Sequence, residues 1–205
     1  MIAIIDYGVG NLFSLQSSLR MIGEETIVTA DLQVLSAADR RILPGVGAFG
    51  DARQKLANAG LDGVIRTQAA AGKPLLGICL GMQLLFERSF EFGEHEGLGL
   101  IPGDVVDMTP LIGPELKVPH IGWNALQIKK PAHPLLAGVR EGDCVYFVHS
   151  FCATRCEESV IATAEYGAPL TAAVARGNVL GCQFHPEKSG EVGLRILRAF
   201  CTWGR

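Results

Sequence analysis

The 205-residue sequence lacks the features that assign a chain to several special classes of protein. It has 18 basic and 21 acidic residues, a net charge of -3, so no excess of one sign favours nucleic acid or anionic membrane as a partner. No apolar run approaches the roughly 18 residues of a membrane span. The first residues, MIAIIDYG, lack the basic segment and cleavage site of a signal peptide. We therefore expect a cytoplasmic protein.

Close cysteine pairs and a complete nucleotide-binding motif are also missing. The six cysteines form no CxxC pair, which favours free thiols, mostly in the core, in a reducing compartment. Cys152 and Cys156 lie near His149, but their spacing matches no zinc template. DYGVGN resembles a dinucleotide fingerprint, yet Phe13 stands where its third glycine belongs. We expect neither a metal nor a cofactor.

The first half of the chain alternates strand and helix patterns. The short apolar run IAIID (2–6) predicts a first strand, and three further strands are predicted at ETIVTA (25–30), RRIL (40–43) and PLLGI (74–78). Helical spacing appears after the first strand at Leu12, Leu15, Leu19 and Ile22, from about 52 to 71 with a break near Gly60, and over LGMQLLFERS (80–89). This alternation predicts a parallel sheet with helices on both faces.

Short strands dominate the second half. They are predicted at 104–108, 124–130, 145–151, 159–166, 170–176 and 179–184, the last two joined by the hairpin pair Gly177-Asn178. Ser189 is expected to cap a final helix. The sequence thus predicts one α/β domain, residues 1–205. Its mostly parallel central sheet is flanked by helices, and its C-terminal half carries antiparallel strands.

Cys79 is the first candidate for chemistry, in the stretch PLLGICLGMQLLF (74–86). A strand, Gly-x-Cys-x-Gly and a helix form the layout of a nucleophile elbow, in which Gly77 and Gly81 leave room for a tight turn. The start of the helix favours the thiolate, and the Leu80 amide is free to face an oxyanion. A buried core cysteine between packing glycines explains this stretch equally well.

A cysteine nucleophile needs a base and a group that orients the base. CQFHPEKSG supplies both, because Pro186 favours an extended His185, and Glu187 then projects to the same side. Alone, His-Pro-Glu also fits a surface turn with a solvated glutamate. Together with an elbow cysteine on another strand of the same sheet, it indicates a catalytic triad.

Two further loops have both a functional and a structural interpretation. Gly45 and Gly47 flank Val46 in LPGVGAFG, where a peptide can flip and aim a second amide at an oxyanion, or simply form a strand-to-helix turn. VPHIGWN (118–124) is either a packed loop or a contact surface, since Trp123 belongs to a residue type enriched at interfaces.

The motifs PGVG, GICLGMQ and FHPEKS together resemble those of class I, triad-type, glutamine amidotransferases. DYGVGN, VPHIGWN and YFVHSF narrow the resemblance to the glutaminase subunits of imidazole glycerol phosphate synthases, from Ile2 to about Gly190. The resemblance implies that Cys79 is the nucleophile, His185 the general base and acid, and Glu187 the group that orients His185. Histidine biosynthesis is the implied pathway.

Other roles follow from the resemblance alone. The backbone of Val46, Gly47 and Leu80 would form the oxyanion hole, and Gln83 and Gly45 would contact substrate L-glutamine. The resemblance also implies a heterodimer with a (βα)₈-barrel cyclase subunit, which uses the ammonia to make imidazole glycerol phosphate and an aminoimidazole carboxamide ribotide. Its interface would include His120, Trp123, Asn124 and Tyr146. Cys152 departs from the family pattern, because an aromatic residue is more usual after HSF.

Three other functions remain open at this point. A sister amidotransferase of another pathway, such as aminobenzoate or pyridoxal phosphate synthesis, shares the triad motifs. A cysteine hydrolase of peptides or small esters would turn over without a partner and ignore glutamine. A non-catalytic binding module could keep the fold, although the set of Cys79, His185 and Glu187 argues against it.

Overall fold

A mixed sheet of nine strands forms the centre of the protein, for which a computed structural model describes residues 1–204. The strand order is β2-β1-β3-β4-β13-β12-β11-β8-β9. The first five strands in this order are parallel: β2 Thr26–Thr29, β1 Ile2–Ile5, β3 Arg40–Leu43, β4 Leu75–Ile78 and β13 Val179–Cys182. The other four are antiparallel: β12 Pro169–Arg176, β11 Val160–Glu165, β8 His120–Ile128 and β9 Cys144–His149.

Helices cover both faces of the parallel half, as predicted. The helices are α1 Leu12–Met21, α2 Leu32–Ala37, α3 Phe49–Asn58, α4 Leu61–Ala70, α5 Leu80–Gln83 and α6 Gly190–Thr202. Helices α1 and α6 share one apolar core with the sheet, and α2, α3 and α4 share the other. Strands β1, β3, β4 and β13 are buried along their whole length, as expected for parallel strands covered on both faces, although β3 begins with the buried Arg40 and Arg41.

A second, smaller sheet has the order β10-β7-β5-β6. Its strands are β5 Arg88–Ser89, β6 His95–Glu96, β7 Asp104–Asp107 and β10 Phe151–Thr154. The predicted strand 145–151 is therefore two strands, because the chain leaves the large sheet after His149 and enters the small one at Phe151. This change of sheet brings residues 149–151 to the carboxyl edge of the parallel strands, beside the candidate site.

The predicted helix 80–89 is wrong beyond Gln83. Helix α5 has only four residues, and the next residues, Leu84, Leu85 and Phe86, are buried in turns that lead to β5. Burial on every side, rather than helical periodicity, explains this apolar run. Helix α2 and strands β5 and β6, which are six residues or fewer, were not predicted.

Other predictions are confirmed or adjusted by the structure. The break near Gly60 is confirmed, since Gly60 has φ +66 and separates α3 from α4. Ser189 stands at the start of α6 but does not cap it, because its hydroxyl donates to His185 O and accepts from Tyr146 N. Within residues 1–204, no helix combines the length and apolar character needed to cross a membrane.

Candidate active site

Cys79 lies on a strained turn between β4 and α5. Its φ of 55° and ψ of -113° are unusual for a residue with a side chain, and such strain is a known feature of nucleophile elbows. The side chain is 7% exposed and lines a cavity of about 420 Å³. Helix α5 has only four residues, so its dipole is smaller than that of the predicted ten-residue helix.

The two glycines beside Cys79 are required by close backbone contacts, as predicted. A Cβ atom on Gly77 would lie 2.6 Å from the Gly81 carbonyl oxygen. A Cβ atom on Gly81 would lie 1.8 Å from the Leu43 carbonyl oxygen. The elbow therefore packs directly against the end of β3, and this contact fixes the loop that follows β3 relative to the sulfur.

His185 and Glu187 stand beside the elbow because β4 and β13 are parallel neighbours. Ile78 pairs with Cys182 at the end of the two strands, so the residues that follow emerge at the same edge. His185 Nδ1 lies 2.8 Å from Glu187 Oε1, and both side chains are almost fully buried. His185 lines the same cavity as Cys79. The structure thus brings together all three residues of the predicted triad.

The surroundings of His185 favour its protonated form. Burial lowers the pKa of the ring, but the charged forms of Cys79 and Glu187 outweigh burial and raise the pKa to about 9. The second nitrogen, Nε2, is buried and has no hydrogen-bond partner among residues 1–204, and the same holds for Glu187 Oε2. Unpaired buried polar atoms of this kind are typical of catalytic sites.

The loop after β3 lies against the elbow and forms one wall of the cavity. Val46 and Gly47 line the cavity, as does Leu80, and Gly47 has φ +92. Gly45 is placed differently, because an added Cβ would contact the Tyr7 hydroxyl at 2.7 Å and the Gly81 amide at 2.8 Å. Gly45 therefore packs behind the cavity wall and allows the close approach of loop and elbow.

Contacts of Tyr7 and Asn11 give the motif DYGVGN a structural role that involves no nucleotide. Its buried hydroxyl donates to the Pro44 carbonyl oxygen at 2.7 Å and holds the loop after β3. Burial, and the charge of Cys79 nearby, raise the pKa of Tyr7 above its usual value. Asn11 accepts the Ser14 amide and caps α1. No cluster of three His, Cys, Asp or Glu side chains suited to a metal ion occurs in residues 1–204.

Gln83 and Glu91 add polar groups to the cavity. Gln83, predicted as a substrate contact, is 5% exposed, and its Nε2 donates to Phe151 O at 3.1 Å and to Gln183 Oε1 at 3.0 Å. Sequence reasoning missed Glu91, whose Oε2 accepts the Phe49 amide at the start of α3. Burial raises the pKa of Glu91. Glu91 follows strand β5, which was not predicted, so nothing in the pattern marked it.

The four residues predicted at a partner interface differ in how far their side chains are exposed. Trp123 is 58% exposed and packs edge-on against Tyr146, its cross-strand neighbour. His120 is buried, so its prediction as a surface contact needs correction: it stacks on Phe147 and Tyr166. Asn124 is half-buried and donates to Glu165 O. Trp123 is thus the exposed member, whereas Tyr146, like Asn124, is half-buried.

Comparisons with known proteins agree with this geometry. The family model of the class-I glutamine amidotransferases matches residues 3–202. The imidazole glycerol phosphate synthase subunit HisH of Wolinella succinogenes is 49% identical and covers 100% of both chains. HisH of Lacticaseibacillus casei is 52% identical over 98% of this chain and 94% of the relative.

The chain belongs to the class-I glutamine amidotransferases, within the HisH family.

More distant solved structures share the amidotransferase fold. A crystal structure of a glutamine amidotransferase superposes with a TM-score of 0.75 at 19% identity, over 98% of this chain and 97% of that one. The structure of PurLQS from Thermotoga maritima gives 0.74 at 21% identity, over 100% and 98%. At these identities the likeness shows the fold alone.

The carboxylate of Glu187 allows a first prediction for this amidotransferase site. Glu187→Gln keeps a hydrogen-bond acceptor for His185 Nδ1 but removes the charge that raises the pKa of His185. We expect glutamine turnover to fall about 10²- to 10⁴-fold, as for orienting carboxylates of other triads. Steady-state kinetics would measure this loss. Glu191→Gln, at an exposed glutamate of α6, is the matched control, and equal rates in both variants would contradict the role.

His149 allows a second prediction, on stability in acid. Burial, with the charges of His120 and His185, lowers the pKa of His149 to about 4, even though its bond to Phe151 O raises it. In the unfolded chain, His149 binds a proton below the ordinary histidine pKa of about 6.5, whereas in the folded protein it stays neutral down to about pH 4. The contribution of His149 to the free energy of unfolding is therefore fully present above pH 6.5 and is lost as the pH falls towards 4. The loss reaches about 3 kcal/mol.

Denaturant unfolding between pH 7 and pH 4 would measure this effect. His149→Asn should flatten the acid part of the curve, because asparagine can still donate to Phe151 O and does not titrate. His95→Asn, in strand β6 of the small sheet, is the control. Parallel curves for the wild type and His149→Asn would contradict the prediction.

Proposed function

We propose that the protein is the glutaminase subunit of an imidazole glycerol phosphate synthase. It hydrolyses L-glutamine to glutamate and ammonia and passes the ammonia to a cyclase subunit with a (βα)₈ barrel, in histidine biosynthesis. The observation that carries the proposal is the triad on adjacent parallel strands, in a chain about 50% identical over its length to proteins named HisH. The glutamine amidotransferase domain extends over residues 1–205, in the cytoplasm, where free cysteines are typical.

The reaction begins with attack of the Cys79 thiolate on the side-chain carboxamide carbon of glutamine. The carbonyl oxygen becomes an oxyanion, which the backbone amides of Leu80 and of the Val46–Gly47 loop stabilise. Protonated His185 gives its proton to the amide nitrogen as the C–N bond breaks, so ammonia leaves and a thioester between Cys79 and the glutamyl group remains. His185 then takes a proton from water, which attacks the thioester and releases glutamate and the thiol.

Two further polar residues that line the cavity, Glu91 and Gln83, suit the amino acid part of glutamine. The carboxylate of Glu91 carries the charge that would pair with the substrate ammonium group. Both N–H groups of Gln83 already have acceptors, so its oxygen is the group that remains for substrate. Gly45 supports substrate binding indirectly, since its lack of a side chain keeps Val46 and Gly47 close to the elbow.

An exposed apolar surface next to the cavity supports a partner subunit. It consists of Ile121 and Trp123 of β8, each 58% exposed, with Tyr146 and Val148 opposite them on β9. Lys188 lies over the Tyr146 ring at 5.8 Å. Val148 also lines the cavity, so a subunit bound here would receive ammonia close to where it forms. Aromatic residues at such a rim are typical of interface hot spots.

Two experiments test the proposal. A glutamine-like diazoketone should label Cys79, located by mass spectrometry, whereas a peptide or ester hydrolase would not prefer this probe. Mixing the protein with candidate synthase subunits, and following glutamine-dependent product, separates the histidine branch from sister pathways. Labelling elsewhere, or no labelling, would overturn the glutaminase assignment. Product with the synthase subunit of another pathway alone would overturn the histidine assignment.

A further inference from the structure

Gln183 is a fully buried amide that the reaction scheme does not use. It follows β13 directly, between the buried Cys182 and Phe184, and is itself 0% exposed. Its Nε2 donates to the Cys79 sulfur at 3.8 Å. We propose that Gln183 is a positioning residue, which holds the sulfur of the nucleophile and favours its thiolate form. This inference rests on the proposed glutaminase function for its kinetic consequence only.

The orientation of the Gln183 amide is determined by its neighbour Gln83. Gln83 Nε2 can only donate, so Gln183 Oε1 must be the atom that accepts from it at 3.0 Å. The nitrogen of Gln183 then necessarily faces the sulfur. Gln83 is held in turn by the Phe151 carbonyl, which accepts its second N–H at 3.1 Å. Two coupled amides therefore fix one donor on Cys79.

His149 also bonds the Phe151 carbonyl, and His120 in turn bonds His149. His149 Nδ1 lies 2.8 Å from Phe151 O and so carries a hydrogen, and His149 Nε2 lies 3.1 Å from His120 Nδ1. Because burial keeps His149 neutral, its Nε2 accepts and His120 Nδ1 donates. His120 Nε2 then accepts from Asn124. The donor and acceptor of each hydrogen bond from Asn124 to Cys79 are thus assigned without conflict.

A permanent N–H donor has a different effect on the two forms of the sulfur. The thiol donates to Val148 O at 3.9 Å, and this bond is lost when the proton leaves. The Gln183 N–H bond remains and becomes stronger, since a charged acceptor strengthens a hydrogen bond. Gln183 therefore stabilises the thiolate relative to the thiol, and it does so at any pH because an amide does not titrate.

The titratable groups around the sulfur do not replace this donor. The Tyr7 hydroxyl is used by Pro44 O, and the one N–H of neutral His149 is used by Phe151 O. Glu91 and Glu187 carry carboxylates, which cannot donate when ionised. His185 can donate, but it must give up its proton during turnover. Gln183 is thus the donor whose contact lasts through the reaction.

The test is the pH dependence of alkylation of Cys79 by iodoacetamide in the full chain, followed peptide by peptide with mass spectrometry. Gln183→Met, which keeps the length of the side chain but removes the donor, should raise the pH of half-maximal rate by about 0.5–1 unit. Gln83→Met should raise it by a smaller amount. The double variant should equal Gln183→Met, because Gln83 acts through Gln183. Glutaminase kcat at pH 7 should fall about five- to tenfold in Gln183→Met, with KM little changed.

Gln127→Met is the matched control, since Gln127 accepts a hydrogen bond from Thr163 in the antiparallel part of the sheet. An unchanged alkylation midpoint in Gln183→Met would overturn the inference. If that variant does not fold, the midpoint of Gln83→Met decides by itself, and no shift would overturn the inference. The alkylation assay needs no glutamine, so absent glutaminase activity in the wild type would count against the proposed function and not against the role of Gln183.

Discussion

Cys79→Ala is expected to reduce glutamine hydrolysis by about 10⁴-fold or more, since no other group in the cavity can form the thioester. The variant should fold, because alanine fits the space of the buried thiol. Cys144→Ala is the matched control: Cys144 is exposed at the start of β9, and its loss should leave the rate unchanged. Glutamate release measured with the partner subunit present would check both. Retention of more than about 1% of the rate in Cys79→Ala would contradict a covalent mechanism.

The strained backbone of Cys79 predicts a difference in stability between two inactive variants of this residue. At φ 55° the backbone of a glycine is less strained than that of any residue with a Cβ. Cys79→Gly should therefore be more stable than Cys79→Ala by about 1 kcal/mol. Denaturant unfolding of the two inactive variants measures this difference. A Cys79→Gly variant less stable than Cys79→Ala would show that the elbow is not strained.

Gly81→Ala is expected to have the largest effect on stability. Its Cβ would lie 1.8 Å from the Leu43 carbonyl oxygen and 3.2 Å from the carbonyl carbon of Pro44, and neither backbone atom can move without displacing β3. We expect a loss of about 3 kcal/mol or more in the free energy of unfolding. Glutaminase activity should fall too, because the same displacement moves the loop that holds Val46 and Gly47.

Gly63→Ala is the control for Gly81→Ala. Gly63 lies inside α4 and has no heavy atom within 4 Å of an added Cβ. Alanine should therefore stabilise the helix by about 0.5–1 kcal/mol. Equal stabilities of the two variants would contradict the contact between elbow and β3.

Local patterns predicted the parts of the fold that depend on neighbours in the sequence. Strand β3 was predicted at 40–43, its observed bounds, because the breaking residues PGVGAFG (44–50) follow it directly. The end of α5 at Gln83 was not predictable, because the burial of Leu84 to Phe86 depends on elements distant in sequence. The same reason explains the missed boundary between β9 and β10, where the chain changes sheets.

The candidate site shows a similar division. Cys79, His185 and Glu187 lie in motifs whose spacing implies chemistry, so the sequence was enough to predict them. Gln183 was not found, although a polar residue at the end of an apolar strand is a usable pattern. Its partner Gln83 is 100 residues away, and only the pairing of β4 with β13 brings the two amides together.

The position of β13 has a consequence for the synthesis of the protein. Strand β13 is inserted between β4 and β12, so the nucleophile leaves the ribosome about one hundred residues before the strand that leads to its base, His185. Until then β4, buried along its whole length in the finished protein, is an unpaired apolar edge that invites aggregation. The nascent chain thus contains a cysteine without a base. Completion of the sheet both covers the apolar edge of β4 and brings the base beside the nucleophile.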